Sequence, residues 1–116
     1  MRIPLTPGNI RTTDLDSTDP IPQGFTLVDV RRDEEWEAGH APGALHIPLT
    51  ELANRIDDLP DEDIIVTCRS GGRSAQATAL LADLGIEVWN LADGMLGWAA
   101  GGLPLTSDDG DIPTIL

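Results

Sequence analysis

The sequence predicts an α/β protein with a three-layer α/β/α arrangement, in which helices cover both faces of an open, mostly parallel sheet of about five strands. Two observations predict it. Short apolar, β-rich runs alternate along the chain with segments that have the apolar spacing of helices. The clearest runs are bounded by glycine or charged residues, as strands usually are. In such sheets, binding sites lie at the carboxyl ends of the strands.

The opening of the chain predicts two strands. Residues 10–12 are expected to form a short first strand, followed by a helical turn that Thr13 or Asp14 caps. Residues 25–30 are nearly continuous in apolar character and β-rich, which is typical of a strand buried on both faces.

Two helices are expected in the middle of the chain. The acidic residues 33–38 are compatible with a helix that ends at Gly39. A short apolar run follows at 44–47. We then expect Thr50 to cap a helix that extends to about Leu59.

The second half contains the clearest elements. Residues 64–67 are the most evident strand. A helix is expected from Arg73 or Ser74 to Leu84, since its apolar residues recur at i, i+3, i+4 and i+7. Residues 86–91 predict a further strand and 95–100 a short helix.

The length of 116 residues favours one domain over residues 1–116, because two domains would each be too small to bury an adequate core. Residues 1–24 and 106–116 are expected to be irregular or peripheral. No run approaches the roughly 18 apolar residues that span a bilayer, and the start lacks the apolar segment of a secretory signal. We therefore expect a cytoplasmic protein that does not bind membranes.

The formal net charge is −13, from 20 acidic residues against seven Arg and no Lys. Such a surface repels nucleic-acid phosphates and anionic lipids, so neither is an expected partner. The missing Lys fits either a salty cytoplasm or, with more weight, a codon bias toward Arg. A single cysteine forms no internal disulfide and no four-thiolate metal site, and no metal or cofactor is expected.

The segment between the best strand and the best helix combines features of an anion-binding loop. Adjacent glycines allow consecutive amides to converge, the helix adds its positive end, and arginine and serine side chains add charge and hydroxyls. Its residues are Cys68, Arg69, Ser70, Gly71, Gly72, Arg73 and Ser74. This environment should lower the pKa of Cys68 and make its thiolate a nucleophile. The alternative is a structural turn around an inert buried cysteine.

The loop resembles the active-site loop of the rhodanese family, and similar segments extend over about residues 25–105. They are the strand ending Asp29-Val30-Arg31, residues 35–44 with Gly39-His40 and Pro42-Gly43-Ala44, and Asp93-Gly94 with Trp98 and Gly102-Leu103-Pro104. Each segment alone is weak evidence for the family, but the whole set in this order is specific to it.

The resemblance implies a sulfurtransferase of the thiosulfate sulfurtransferase type. Cys68 would take sulfane sulfur from thiosulfate or a persulfide, hold it as a persulfide and pass it to a thiol, cyanide or a protein acceptor. Loop amides would surround the sulfur, and Arg69 and Arg73 would hold the anionic end of the donor. Asp29 and Arg31 are expected to support the site by pinning neighbouring loops.

Two other functions remain open. The same fold serves phosphatases and arsenate reductases, but those phosphatases place Arg six positions after Cys, where this chain has Ser74. There is also no second cysteine to resolve an oxidised intermediate. A non-catalytic interaction module is opposed by the intact cysteine and cationic loop. His40 is expected to brace a loop, and no role is assigned to His46.

Overall fold

The computed structural model describes residues 3–116, and within this range the chain forms five strands and four α-helices. The strands are β1 (Asn9–Ile10), β2 (Phe25–Asp29), β3 (Leu45–His46), β4 (Asp63–Thr67) and β5 (Val88–Leu91). The helices are α1 (Asp33–Ala38), α2 (Leu49–Leu52), α3 (Gly72–Asp83) and α4 (Gly94–Ala100). Met1 and Arg2, part of the predicted irregular opening, lie outside the described residues.

The strands form one sheet in the order β1-β5-β4-β2-β3, and every neighbouring pair is parallel. β4 is the central strand and pairs along its length with β2, so that Thr67 lies beside Asp29. The carboxyl ends of β2 and β4 therefore meet at one edge of the sheet. The predicted fold class is confirmed.

Side chains that alternate along each strand build an apolar layer on each face of the sheet. On one face, Leu27 of β2 and Ile65 of β4 pack with Met95 and Trp98 of α4. The other face carries a second cluster that includes residues of β2, β4, α2 and α3; these are Val28, Val66, Leu52, Ala77 and Leu81. Helices thus cover both faces, and the three-layer arrangement follows.

The prediction of one helix from Thr50 to about Leu59 is wrong. The structure has the short helix α2, which begins after Pro48, and then a separate 3₁₀ turn, Ile56–Asp58. Between them the amide of Asn54 bonds to the carbonyl of Glu51, three residues back, rather than four. The amides of Arg55, Asp58 and Leu59 likewise bond three residues back, so the segment is made of separate turns rather than one α-helix.

The other boundaries differ by a residue or two. β1 is Asn9–Ile10 rather than 10–12, and the turn predicted after it is the 3₁₀ turn Thr12–Asp14. β5 begins two residues later than predicted, and α3 begins at Gly72. Within residues 3–116, no helix combines the length and apolar character that crossing a bilayer requires.

The packing of α3 against the sheet gives a stability prediction. Leu81 is fully buried, so Leu81→Ala should lower the free energy of unfolding by about 2–5 kcal/mol through lost burial and the cavity left behind. Leu84→Ala is the matched control, because Leu84 is 55% exposed, and its effect should stay within about 0.5 kcal/mol. Urea denaturation measures both. Equal effects would show that α3 does not pack as described.

Candidate active site

Cys68 directly follows β4 and so lies at the carboxyl end of the central strand. It is 1% exposed and belongs to the apolar cluster under α3. Because α3 begins at Gly72, only Arg69, Ser70 and Gly71 connect Cys68 to the helix. The predicted anion loop thus lies at the edge of the sheet where sites are expected.

Uncharged hydrogen-bond donors surround the Cys68 sulfur. The amide of Gly71 donates to Sγ over 3.1 Å, and Oγ of Ser74 lies 3.3 Å from Sγ. Burial alone would raise the pKa of Cys68, but hydrogen bonds from the Ser74 hydroxyl and from the amides of Ser74, Gly71 and Ser70 outweigh it. The pKa is lowered as a result, which favours the thiolate.

Ser74 can serve both protonation states of the cysteine. It is fully buried, and its Oγ also lies 3.2 Å from the carbonyl oxygen of Gly71. A hydroxyl is both donor and acceptor and can rotate. When Cys68 is a thiol, Ser74 accepts from S–H and donates to the carbonyl; when Cys68 is a thiolate, the hydroxyl turns to donate to Sγ.

The first turn of α4 sets the direction of the loop amides. The amide of Met95 donates to the carbonyl of Cys68 over 2.8 Å, and that of Leu96 to the carbonyl of Arg69 over 3.0 Å. In a planar trans peptide the N–H points opposite to the C=O. Binding these carbonyls on the α4 side therefore turns the amides of Arg69 and Ser70 away from α4.

Two glycines make this close approach possible. Gly71 and Gly94 have φ of +105° and +58°, in the left-handed region that side chains disfavour. A Cβ on Gly94 would lie 2.6 Å from the carbonyl oxygen of Cys68, and one on Gly71 would collide with the carbonyl of Ala92. The loop and the start of α4 thus fit only with glycine at both positions.

A buried ion pair joins the end of β2 to the turn after α1. Arg31 is fully buried; its Nε lies 3.0 Å from Oδ1 of Asp29 and its Nη2 2.8 Å from Oδ2. The same Nη2 donates to the carbonyl of Gly39 over 2.7 Å. These charge-assisted bonds hold two loops beside the site, which is the contact expected of this pair.

Arg73 pairs with Glu35, a residue to which the sequence analysis gave no role. Nη1 and Nη2 of Arg73 lie 2.6 and 2.9 Å from the two carboxylate oxygens of Glu35, and the carboxylate is buried. Hydrogen bonds from Arg73 outweigh the effect of burial and lower the pKa of Glu35 to about 2, with help from the amide of Arg32. One acid among several in residues 33–38 gives no sequence signal that it alone is buried.

Arg69 extends away from the sulfur. It is exposed, and its Nε donates to the main-chain oxygen of Leu116 over 2.7 Å. The structure thus gathers Cys68, Ser74 and the loop amides around one point, while the guanidinium groups of Arg69 and Arg73 bind partners elsewhere.

The two histidines brace loops around α1. Nδ1 of His40 lies 2.7 Å from the carbonyl of Trp36, and Nε2 of His46 lies 2.7 Å from the carbonyl of Arg31. Both imidazoles stack on the Trp36 ring, with centroids 3.6 and 4.8 Å away. Among residues 3–116, no group of three or more His, Cys, Asp or Glu side chains could hold a metal ion.

Asp93 links α4 to an early segment of the chain. Its φ is −92°, and the positive φ of this turn falls on Gly94. Its carboxylate accepts hydrogen bonds from the amide and hydroxyl of Thr12, at 3.0 and 2.6 Å. Asp93 therefore ties the turn after β1 to the start of α4.

The fold and the cysteine loop define an α/β protein with a buried cysteine at the carboxyl end of its central parallel strand. The sequence model of the rhodanese-like domain family matches residues 14–101 of this chain. The chain belongs to the rhodanese-like domain family.

Relatives of this chain carry both enzymatic and regulatory names. A sulfurtransferase of Allochromatium vinosum is 41% identical over 86 residues, which cover 72% of this chain and 80% of that protein. The HTH-type transcriptional regulator Rv0324 of Mycobacterium tuberculosis is 48% identical over 83 residues, which cover 69% of this chain. Those residues are only 37% of the regulator, so this chain resembles one part of it.

Solved structures agree with the family. SSP1007 of Staphylococcus saprophyticus has a TM-score of 0.70 at 32% identity, with 84% of this chain and 98% of that chain covered. The rhodanese-like domain of Alr3790 from Anabaena has a TM-score of 0.69 at 29% identity, covering 78% of this chain and 72% of that one.

The contact between Ser74 and the sulfur predicts a change in thiol acidity. Ser74→Ala removes the hydroxyl donor and should raise the pKa of Cys68, because the thiolate loses more stabilisation than the thiol. The rate of alkylation by iodoacetamide follows the thiolate fraction, so its midpoint should move to higher pH. Ser17→Ala, an exposed change of the same kind, should leave the midpoint in place. An unmoved midpoint in Ser74→Ala would contradict the assignment.

The close fit between the loop and α4 predicts that alanine substitution at two glycines of positive φ lowers the free energy of unfolding by different amounts. Gly102, with φ +72°, has no atom within 4 Å of a Cβ position, so Gly102→Ala should cost only the backbone penalty, about 1–2 kcal/mol. Gly94→Ala adds a collision with the Cys68 and Arg69 carbonyls and should cost about 1–3 kcal/mol more. Urea denaturation of both variants tests this. Similar losses would mean that α4 does not press on the loop.

Proposed function

We propose that the protein is a sulfurtransferase that carries sulfane sulfur as a persulfide on Cys68. The observation that carries the proposal is the ring of amide and hydroxyl donors around a buried sulfur whose pKa is lowered. Membership of the rhodanese-like family and the sulfurtransferase among its relatives support it.

The reaction has two transfers. The Cys68 thiolate attacks the outer sulfur of thiosulfate or of a persulfide, and the bond between the two donor sulfurs breaks. Sulfite or a thiolate leaves with the bonding electron pair, and a Cys68 persulfide remains. A thiol, cyanide or a protein acceptor then attacks the terminal sulfur, and the Cys68 thiolate returns.

The loop residues have distinct roles in this proposal. Amides of Ser70, Gly71 and Gly72 face the transferred sulfur, and Ser74 supports the Cys68 anion. Arg69 and Arg73 are proposed to act on the donor only from outside the loop, because their guanidinium groups bind Leu116 and Glu35. Asp29 and Arg31 hold the neighbouring loops, and the reaction is proposed to occur in the cytoplasm.

The geometry favours sulfur chemistry over phosphoryl transfer. The position at which the related phosphatases have their arginine is Ser74, a buried hydroxyl next to Sγ. Arg73, one residue earlier, is directed to Glu35. A phosphate in this loop would therefore lack the cation that its three oxygens require.

The proposal predicts a change in mass. Incubation with thiosulfate or with hydroxyethyl persulfide should add the mass of one sulfur atom to the protein, and cyanide should remove it as thiocyanate. Cys68→Ala and Cys68→Ser should gain no sulfur. Intact mass spectrometry measures this directly.

Two outcomes would contradict the proposal. Turnover of an aryl phosphate with no sulfur uptake would favour a phosphatase. A protein that neither takes up sulfur nor turns over an aryl phosphate would instead be a non-catalytic interaction module.

A further inference from the structure

The charge of Arg73 is balanced inside the protein. Both of its Nη atoms bind the carboxylate of Glu35, whose side chain is 4% exposed, while that of Arg73 is 31% exposed. A negative sulfur on Cys68 and the Glu35 carboxylate both raise the pKa of Arg73, with the hydrogen bond to Glu35 the larger cause. Arg73 thus lies in the first turn of α3, directly after the cysteine loop, and its guanidinium is held by a carboxylate.

The other cations near the loop contribute little additional charge. Arg31 is paired with Asp29 and fully buried. Arg69 is exposed to solvent, and its Nε donates to the main-chain oxygen of Leu116. Arg32 is exposed, and its Nε lies 2.9 Å from Glu34 and 3.6 Å from Glu35. A donor entering the loop thus meets oriented amides, arginines paired with carboxylates and the exposed Arg69, in a protein whose formal charge is −13.

The charge of the donor decides how it responds to such a site. Thiosulfate has two negative charges, whereas a persulfide with an uncharged carbon group has at most one. Coulomb energy scales with that charge, so acidic surroundings and a neutralised arginine disfavour thiosulfate more than the persulfide. Amide dipoles suffice for a single sulfur anion.

We propose that Glu35 is a specificity-determining residue: by pairing with Arg73 it offsets the guanidinium charge and makes the protein favour low-molecular-weight persulfides over thiosulfate as sulfur donors. The inference rests on the proposed function of Cys68. Glu35 acts through Arg73 and touches neither the donor nor the reacting sulfur. With the persulfide, the sulfur–sulfur bond of the donor breaks, a new one forms to Cys68, and the donor thiolate leaves with the electron pair.

The experiment varies the net charge of the Glu35–Arg73 pair. The second-order rate constant of Cys68 persulfide formation is measured by quenching and intact mass spectrometry, with thiosulfate and with hydroxyethyl persulfide. The quantity compared is the ratio of the thiosulfate rate constant to the persulfide rate constant, because a general loss of structure lowers both.

The expected ratios follow the pair's charge. Glu35→Gln makes the pair positive and should raise the ratio roughly fivefold, and Arg73→Gln makes it negative and should lower it by a similar factor. The double variant Glu35→Gln with Arg73→Gln is neutral and should return to within about twofold of wild type. The thiosulfate rate of Glu35→Gln should also fall more steeply with added salt than that of wild type.

Glu37→Gln is the matched control. It makes the same chemical change on α1, at an exposed side chain that has no ion-pair partner among residues 3–116, so solvent screens its charge and the ratio should not change. If Glu35→Gln does not fold, Arg73→Gln and the double variant still test the order of ratios.

Failure of the inference differs from failure of the proposed function. Sulfur uptake with ratios that are the same in all variants would show that Glu35 has a purely structural role. A wild-type protein that reacts faster with thiosulfate than with the persulfide would also overturn the inference. No sulfur uptake from either donor in the wild type would instead remove the proposed function, and the inference with it.

Discussion

Two hydrogen bonds from α4 fix the geometry on which the site depends. The amides of Met95 and Leu96 bind the carbonyls of Cys68 and Arg69, and this orients the peptides between the cysteine and α3. The sheet places β4 at its centre, and the α4 contact turns the amides of Arg69 and Ser70 away from α4. Asp93 extends the same constraint to the turn after β1 through Thr12, so an early segment of the chain helps to position the cysteine loop.

The protein stabilises a thiolate with dipoles rather than with full charges. Arg31 and Arg73, the buried and half-buried arginines near the loop, each have a carboxylate partner, whereas the donors to Sγ are amides and a hydroxyl. Burying an unpaired guanidinium costs free energy, so a buried arginine needs a carboxylate partner. Amides are already part of the backbone and carry no such requirement.

The sequence predicted the features that depend on local pattern. The parallel sheet, the position of Cys68 after the central strand and α3 follow from apolar periodicity and glycine positions over a few residues. The pairing of Arg73 with Glu35 could not be predicted this way, because the two residues are 38 positions apart and Glu35 lies in a helix with several acids. The predicted length of α2 was also wrong, since the backbone changes to i→i+3 hydrogen bonds after Leu52 although the apolar pattern continues. The hydrogen bond from Nε of Arg69 to the main-chain oxygen of Leu116 could not be predicted either, because the two residues are 47 positions apart.

Dipolar stabilisation suits a reaction in which the charge on the protein does not change. In the proposed cycle Cys68 is an anion both before and after sulfur transfer, as thiolate and then as persulfide. The negative charge only moves outward by one sulfur–sulfur bond, about 2 Å. Amides arranged around the loop can contact the anion at both positions without moving. A strong local cation would bind a dianionic donor, but it would also hold the persulfide anion and slow its attack by an acceptor. The charge of Arg73 is already balanced by Glu35, so in the proposed cycle this arginine adds no net charge that would hold the persulfide anion.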